Sequence, residues 1–349
     1  MKSNLNKKLL ISALEPSANL HLEPILPKLN QEIVGIFDKR FGDPLYDTKE
    51  FSVMGFFDVL PKIKLAKRAI KEMVKLASEC EHVLLIDAPS FNLPLAKALK
   101  KAYPDLKITY YILPKVWAWK KGRVKKVEKY CDNLASIFPF EPNFYNRATY
   151  VGNPLLDELT IKKDPNIDYD TVAFMPGSRK GEVARLMPIF REVAKEIKGK
   201  KVIIVPPFLK GEDLSETYGD YSDFDISYMM EETLAHSDFA FICSGTATLE
   251  AAIIGVPFVL AYKAKSLDFK IARFFIKLKY AGLANLILDF SNKAPLHQEF
   301  LQDEVTKENL LKVYREFDKY KFARGSYDLL QLLQDGSSKN IIKLLDSKV

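Results

Sequence analysis

Two Rossmann-like α/β domains, each a doubly wound parallel sheet, facing each other across a central cleft: this is the fold the chain predicts. Three observations carry it. Short β-rich runs alternate with helical stretches through the first half, the alternation restarts after a polar segment, and several strands end in small-residue turns that open helices. Residues 9–13, 33–37, 83–86, 108–112 and 134–138 read as the first set of strands, with helical segments between them. After Val151-Gly-Asn-Pro154 the chain turns polar through Lys162 to Asp168. Strand signals then resume at Val172 and over 202–205, 239–243 and 258–261. A boundary near 155–170 follows, giving an amino-terminal domain over 1–160 and a second over 161–320. From Lys307 the pattern is helical, with apolar Leu310, Leu311, Val313 and Phe317, then Leu329, Leu330, Leu332 and Leu333. Helices over 321–349 are expected to pack back on the first domain or to be exchanged in a dimer.

Size and composition agree. A chain of 349 residues suits two cores better than one. Hydrophobic residues at 48% and charged residues at 28% describe a globular protein rather than a disordered one. The net charge of +7 favours phosphorylated ligands, anionic membrane or nucleic acid without choosing among them. Cys80, Cys131 and Cys243 stand far apart, so neither a zinc site nor a disulfide framework is indicated, and a reducing cytoplasm is expected. The apolar run 9–14 is too short for a signal peptide, and no window reaches the ~18 apolar residues of a membrane span.

Three strand ends carry the chemistry. Ser244-Gly-Thr-Ala-Thr-Leu-Glu250 follows an apolar run and opens a helix. The first N–H groups of a helix lack internal partners, so Ser244, Gly245, Thr246 and Thr248 form a plausible diphosphate cradle, while Glu250 suits a ribose diol. The same residues also make a good cap and nothing more. Upstream, Pro176-Gly-Ser178-Arg179 ends a strand with a guanidinium, whose planar fork fits phosphate, although an exposed surface turn would read alike. Asp87 ends the apolar run 83–86 just before Pro89, where desolvation makes a carboxylate a better base. It competes with a plain capping role, and His21, in the first strand–helix turn, is the alternative base. Asp168-Tyr-Asp170 and Asp223-Phe-Asp225 have the spacing of a divalent-cation pair, but they sit in polar turns, and no metal is expected.

Two basic amphipathic stretches suit an anionic membrane surface. In the first, Val59, Ile63, Ala66, Ile70, Met73 and Ala77 recur at helical spacing among lysines, after Met54, Phe56 and Phe57. The second spans 263–279. Trp117 and Trp119 add interfacial aromatics beside positive charge. A sheet-covering helix with a lysine-rich outer face accounts for the first stretch equally well. No nucleic-acid motif accompanies these cations.

Taken together, these motifs resemble the lipid-A-disaccharide synthases, glycosyltransferases of bacterial outer-membrane lipid synthesis. The likeness rests on Val53-Met-Gly55 with Asp58-Val-Leu60, Ile86-Asp-Ala-Pro89 with Phe91-Asn92, Val116-Trp-Ala-Trp119 with Arg123, Phe138-Pro-Phe-Glu141, Pro176-Gly-Ser-Arg179 with Glu182, the 244–250 turn, and Asn285. The resemblance implies a glycosyltransferase-B fold, a metal-independent inverting transfer, no cofactor, a uridine-diphosphate diacylglucosamine donor and a diacylglucosamine 1-phosphate acceptor. It further implies peripheral attachment to the cytoplasmic face of the inner membrane and a homodimer in some members. On this basis Asp87 is the expected base and Arg179 the expected partner of the donor phosphates. Ser178, the 244–250 turn and Asn285 are expected on the donor side, with Glu15, Ser17, Met54, Phe56, Phe57 and Trp117 on the acceptor and lipid side. Where the family's first turn reads Gly-Glu-x-Ser-Gly-Asp, this chain has Leu14-Glu-Pro-Ser-Ala-Asn19, so that loop is expected to differ in shape. A sugar epimerase or soluble-acceptor transferase on the same scaffold, or a catalytically silent lipid-binding protein, are the competing readings.

Overall fold

A computed structural model describes residues 8–52, 59–243, 245–265 and 278–346. The chain divides into two compact units, residues 1–158 with 334–349, and residues 159–333. In the first, β1 (Lys8–Ser12), β2 (Glu32–Phe37), β3 (Tyr46–Asp47), β4 (Cys80–Ile86), β5 (Lys107–Tyr111), β6 (Asn133–Ser136) and β7 (Ala148–Tyr150) form a parallel sheet. Its spatial order is β3-β2-β1-β4-β5-β6-β7. In the second unit, β8 (Thr171–Met175), β9 (Lys200–Ile204), β10 (Asp225–Ser227), β11 (Phe239–Ile242), β12 (Phe258–Tyr262) and β13 (Glu299–Leu301) are ordered β10-β9-β8-β11-β12-β13, also parallel. Each order reverses direction once, between β1 and β4 and between β8 and β11. Crevices for ligands form at such reversals, outside the carboxyl ends of the strands.

The central strands read as unbroken apolar runs because helices cover both faces. Val83 to Ile86 and Phe239 to Ile242 are almost wholly buried. The first core gathers Leu10, Val83, Leu85, Ile108 and Tyr110 under the helices Val59–Leu76 and Pro89–Ala102. The second gathers Phe174, Phe190 and Phe241, with Phe174 and Phe241 stacked at 4.9 Å between centroids. In helix Val59–Leu76, Leu65, Ala69 and Met73 are buried while Lys64, Lys67, Arg68, Lys71 and Lys75 face out. The helix therefore covers the sheet and keeps a cationic outer side.

Strands β3, β7, β10 and β13 have no counterpart in the sequence reading. Each is two or three residues long and none is fully buried, so neither alternation nor an apolar run marks them. The chain changes units at 333–334, whereas the sequence reading divided it at 321, inside helix Lys319–Leu330. That helix is held in the second unit by Phe322 edge-on to Phe258 at 5.6 Å and by Ser326 Oγ donating to Ala252 O at 2.5 Å. Only the following segment returns to the first. Asn153 N donates to Gln334 O at 2.8 Å, Gly336 N to Asp157 Oδ1 at 2.6 Å, and Tyr111 and Ser337 share a hydroxyl contact at 2.8 Å. Gly152, at φ 96°, permits this close approach, since a Cβ there would lie 2.6 Å from Gln334 O.

Candidate active site

Asp87 lies where β4 ends, beside the reversal between β1 and β4. It and Ala88 both take left-handed backbone, at φ 48° and φ 40°, an uncommon state for residues with a Cβ. Buried Asn92 holds this strained corner. Its Nδ2 donates to Ile86 O at 3.1 Å and Asp87 O at 2.8 Å, while its Oδ1 accepts from Ser12 Oγ on β1 at 2.7 Å. Tyr110 Oη donates to the same Asp87 carbonyl at 2.6 Å, and Asp87 N donates to Tyr111 O at 3.0 Å. With the backbone fixed from β1, β4 and β5, the carboxylate is aimed by the fold. Burial raises its proton affinity above the ordinary aspartate value, opposed by Lys115, by the Ala88 amide and by His21.

Glu15 joins this group from the end of β1. Its pKa is also raised, by desolvation first and then by the charge of Asp87, with Lys115 pulling the other way. Ser17 is exposed one residue past Pro16, in the first turn of helix Pro16–Leu22. No residue from 14 to 19 has positive φ, so the turn does without the glycines of the family pattern. Asn19 secures it instead: buried, it donates to Ala13 O, Glu15 O and Thr48 Oγ1, each at 2.9 Å. His21 is held through Nδ1 by Glu158 Oε1 at 2.6 Å.

Trp117 is buried and serves the interior of this unit. Its Nε1 donates to Glu141 Oε1 at 3.0 Å, and its ring meets Phe138 and Phe140 edge-on. Trp119 is the exposed indole, 44% accessible, with Lys120 Nζ 4.2 Å from its ring centroid. Glu141 is fully buried among donors, accepting also from Ile137 N and Phe138 N. Burial nevertheless pushes its pKa up to about 7, against those hydrogen bonds and the charge of Lys115. Met54, Phe56 and Phe57 lie outside the described residues, as does most of the 263–279 stretch.

In the second unit the two turns stand side by side. β8 and β11 are paired neighbours, and Cys243 N donates to Met175 O at 3.0 Å. Gly177 is at φ 104°, and a Cβ there would lie 2.6 Å from Cys243 Sγ, so the first turn can wrap the second only with glycine. Ser178 and Arg179 are exposed; the Arg179 side chain is 79% accessible and bonds Glu182 Oε1 at 2.9 Å. A guanidinium has about five N–H donors, so this contact leaves most of the fork for an anion. Ser244 lies outside the described residues. Gly245 and Thr246 open helix Gly245–Ile254, where Thr246 is exposed. Thr248 is buried and turns its hydroxyl back to Gly245 O at 2.6 Å, and Glu250 is half-buried.

Asn285 uses all its amide groups internally. Nδ2 donates to His297 O at 2.9 Å and Glu299 Oε1 at 2.8 Å, and Oδ1 accepts from Leu296 N and His297 N. Glu299 in turn accepts from Ala281 N and Gly282 N, and Ala281 O lies 3.0 Å from where a Cβ on Gly245 would stand. Asn285 therefore braces the backbone that abuts the start of helix Gly245–Ile254. Among the described residues neither Asp-x-Asp pair belongs to a cluster of three or more metal-binding side chains. Asp168 is bound by Lys319 Nζ at 2.6 Å and Asp225 lies 3.4 Å from Lys200 Nζ.

The profile of the lipid-A-disaccharide synthetase family matches residues 9–340. Lipid-A-disaccharide synthase of Campylobacter jejuni strain RM1221 is 50% identical over 364 aligned positions, covering 97% of this chain and 99% of the relative. The chain belongs to that family. It is accordingly a glycosyltransferase of the lipid-A-disaccharide synthase kind. The corresponding synthase of Helicobacter pylori strain Shi470 is 48% identical, covering 95% of this chain and 96% of the relative. Among solved structures, MurG of Acinetobacter baumannii matches with a TM-score of 0.62 at 11% identity, over 97% of this chain and 98% of that one. A Methanocaldococcus jannaschii UDP-GlcNAc 2-epimerase in complex with UDP-GlcNAc and UDP gives 0.58 at 14% identity, over 97% and 98%. Such distant neighbours establish the two-sheet glycosyltransferase-B architecture alone.

Proposed function

We propose that the enzyme condenses UDP-2,3-diacylglucosamine with 2,3-diacylglucosamine 1-phosphate, releasing UDP and a tetraacyl disaccharide 1-phosphate. Asp87 takes the proton of the acceptor hydroxyl as its oxygen attacks the anomeric carbon of the donor. The carbon–oxygen bond to the diphosphate breaks on the opposite face, and the electron pair leaves with UDP, inverting the centre. Arg179 and the N–H groups at Gly245 and Thr246 offset the charge gained by the leaving diphosphate. Glu250 accepts from the ribose hydroxyls. The observation that carries this reading is the strained, multiply bonded corner at Asp87, which places a carboxylate of raised proton affinity at a sheet reversal. We further propose that the enzyme works while attached peripherally to the cytoplasmic face of an anionic inner membrane, and that it forms a homodimer.

Incubating the purified protein with both acylated sugars and following UDP release tests the reaction. Turnover is expected in the wild type, with a loss of about 10²–10⁴-fold in Asp87→Asn at unchanged thermal stability. Because the raised carboxyl must be ionised to accept a proton, the rate climbs with pH on its acid side. UDP-sugar consumption without acceptor would point to an epimerase and overturn the proposal.

A further inference from the structure

Helices Pro89–Ala102 and Arg123–Tyr130 of the first unit border a cavity of about 850 Å³. Leu93, Pro94 and Tyr130 give it apolar walls. Four cations line it, Lys97, Lys120, Arg123 and Lys126, with no carboxylate in the lining. Among the described residues none of these four is paired with an acid, and Lys120 and Arg123 lean on the exposed Trp119 ring, at 4.2 and 5.4 Å from its centroid. Like charges gathered without counter-charge repel one another, so the arrangement is one that an anion completes. Pro89, Ser90 and Gly122 complete the lining. Three peptide steps from Asp87 to Ser90 span at most about 11 Å of chain, so one lining residue of the groove lies within that reach of Asp87.

We propose that this groove holds the phosphomonoester of the acceptor glycolipid. The inference rests on the glycosyl-transfer reading above and names its acceptor subsite. A terminal phosphate carries up to two charges and three free oxygens, enough to engage several cations at once, whereas a bridging bilayer phosphodiester carries one charge. Arg123, half-buried, supplies a planar fork, and the mobile ammonium groups close around it. The apolar walls take the sugar face and the root of an acyl chain.

Calorimetric titration of the full-length enzyme with glucosamine 1-phosphate, glucosamine and inorganic phosphate tests the site without turnover. Glucosamine 1-phosphate is expected to bind, glucosamine not, and Lys97→Ala/Lys126→Ala to weaken binding at least ten-fold. In kinetics the same variant should raise the KM for phosphorylated acceptor at least ten-fold with the KM for the UDP-sugar unmoved. Its preference for phosphorylated over dephosphorylated acceptor should fall by the same factor. Undiminished glucosamine 1-phosphate binding in the variant overturns the site. So does a variant that loses only its affinity for phosphatidylglycerol vesicles, which would assign the groove to bilayer headgroups. A wild type that binds glucosamine 1-phosphate but releases no UDP would refute the reaction and leave the phosphate site standing.

Discussion

At the scale of single residues, the buried amide of Asn92 fixes the backbone that carries Asp87, the proposed base. Leucine at this position keeps most of the volume but leaves Ser12 Oγ without its amide acceptor and takes a donor from Ile86 O and from Asp87 O, the last of which keeps Tyr110 Oη; each unreplaced loss costs about 1–3 kcal/mol. Asn92→Leu is expected to lower the melting temperature and also to reduce kcat well beyond any change in donor KM. A stability loss with intact kcat would remove the positioning role. Glu141 gives a second test. Its carboxyl titrates ordinarily near 4.5 and at about 7 when folded, so the native state keeps a proton that the unfolded chain has already released. Stability is therefore full below pH 4.5 and falls as pH rises through about 7, by about 3 kcal/mol. Denaturant unfolding between pH 5 and 8 checks this; Glu141→Gln should flatten the slope, while its amide NH₂ facing a backbone or indole donor costs about 1–3 kcal/mol. Asp87 and Arg179 stand out in the sequence because Asp87 ends an apolar run and Arg179 closes the small-residue turn after another. Asn19, Asn92 and Glu141 carried no such signal. Their importance comes from contacts with residues distant in sequence, which no local pattern records.

At the scale of elements, the turn at 176–179 and the end of the neighbouring strand at Cys243 depend on one another. Gly177 combines positive φ with a Cβ position 2.6 Å from Cys243 Sγ. Gly177→Ala is expected to cost about 1–3 kcal/mol through strain and overpacking, and to raise the KM for the UDP-sugar as the Arg179 turn is displaced. Adding Cys243→Ala relieves the clash but not the backbone strain, so the double variant should recover part of the stability and most of the donor affinity. A double variant no better than the single would mean that φ alone decides. The buried Cys243 thiol, its pKa pushed up to about 12 by burial, is unreactive there and acts as packing. The long central strands were legible from composition because burial on both faces demands apolar runs. The short edge strands were not, since two or three half-covered residues leave no period to detect. Helix Val59–Leu76 shows the same limit, because one pattern served both a sheet-covering face and a membrane-facing one; Leu65, Ala69 and Met73 are buried in the core, while Ile63 stays 45% exposed.

At the scale of the whole molecule, the excess of 52 basic over 45 acidic residues gives a net charge of +7, and its placement decides what it does. Lys64, Lys67, Arg68, Lys71 and Lys75 project from a helix whose Leu65, Ala69 and Met73 are buried in the core, while Ile63 is 45% exposed. Among the described residues no helix is long and apolar enough to cross a membrane. For the peripheral attachment proposed above, these cations supply an electrostatic contribution of about 1 kcal/mol each near an anionic surface. Such attraction reaches about 8 Å at physiological salt and about 3 Å at 1 M. The enzyme is therefore expected to float with phosphatidylglycerol vesicles at low salt, to be released as salt rises, and to ignore phosphatidylcholine vesicles. Replacing Lys64, Lys67, Lys71 and Lys75 by Gln should weaken flotation and leave turnover of detergent-dispersed substrates intact, because none of the four takes part in the hydrogen bonds that hold the Asp87 corner. Salt-resistant binding to both vesicle types would instead require apolar insertion by another segment, and equal flotation of the glutamine variant would dismiss this helix as the contact.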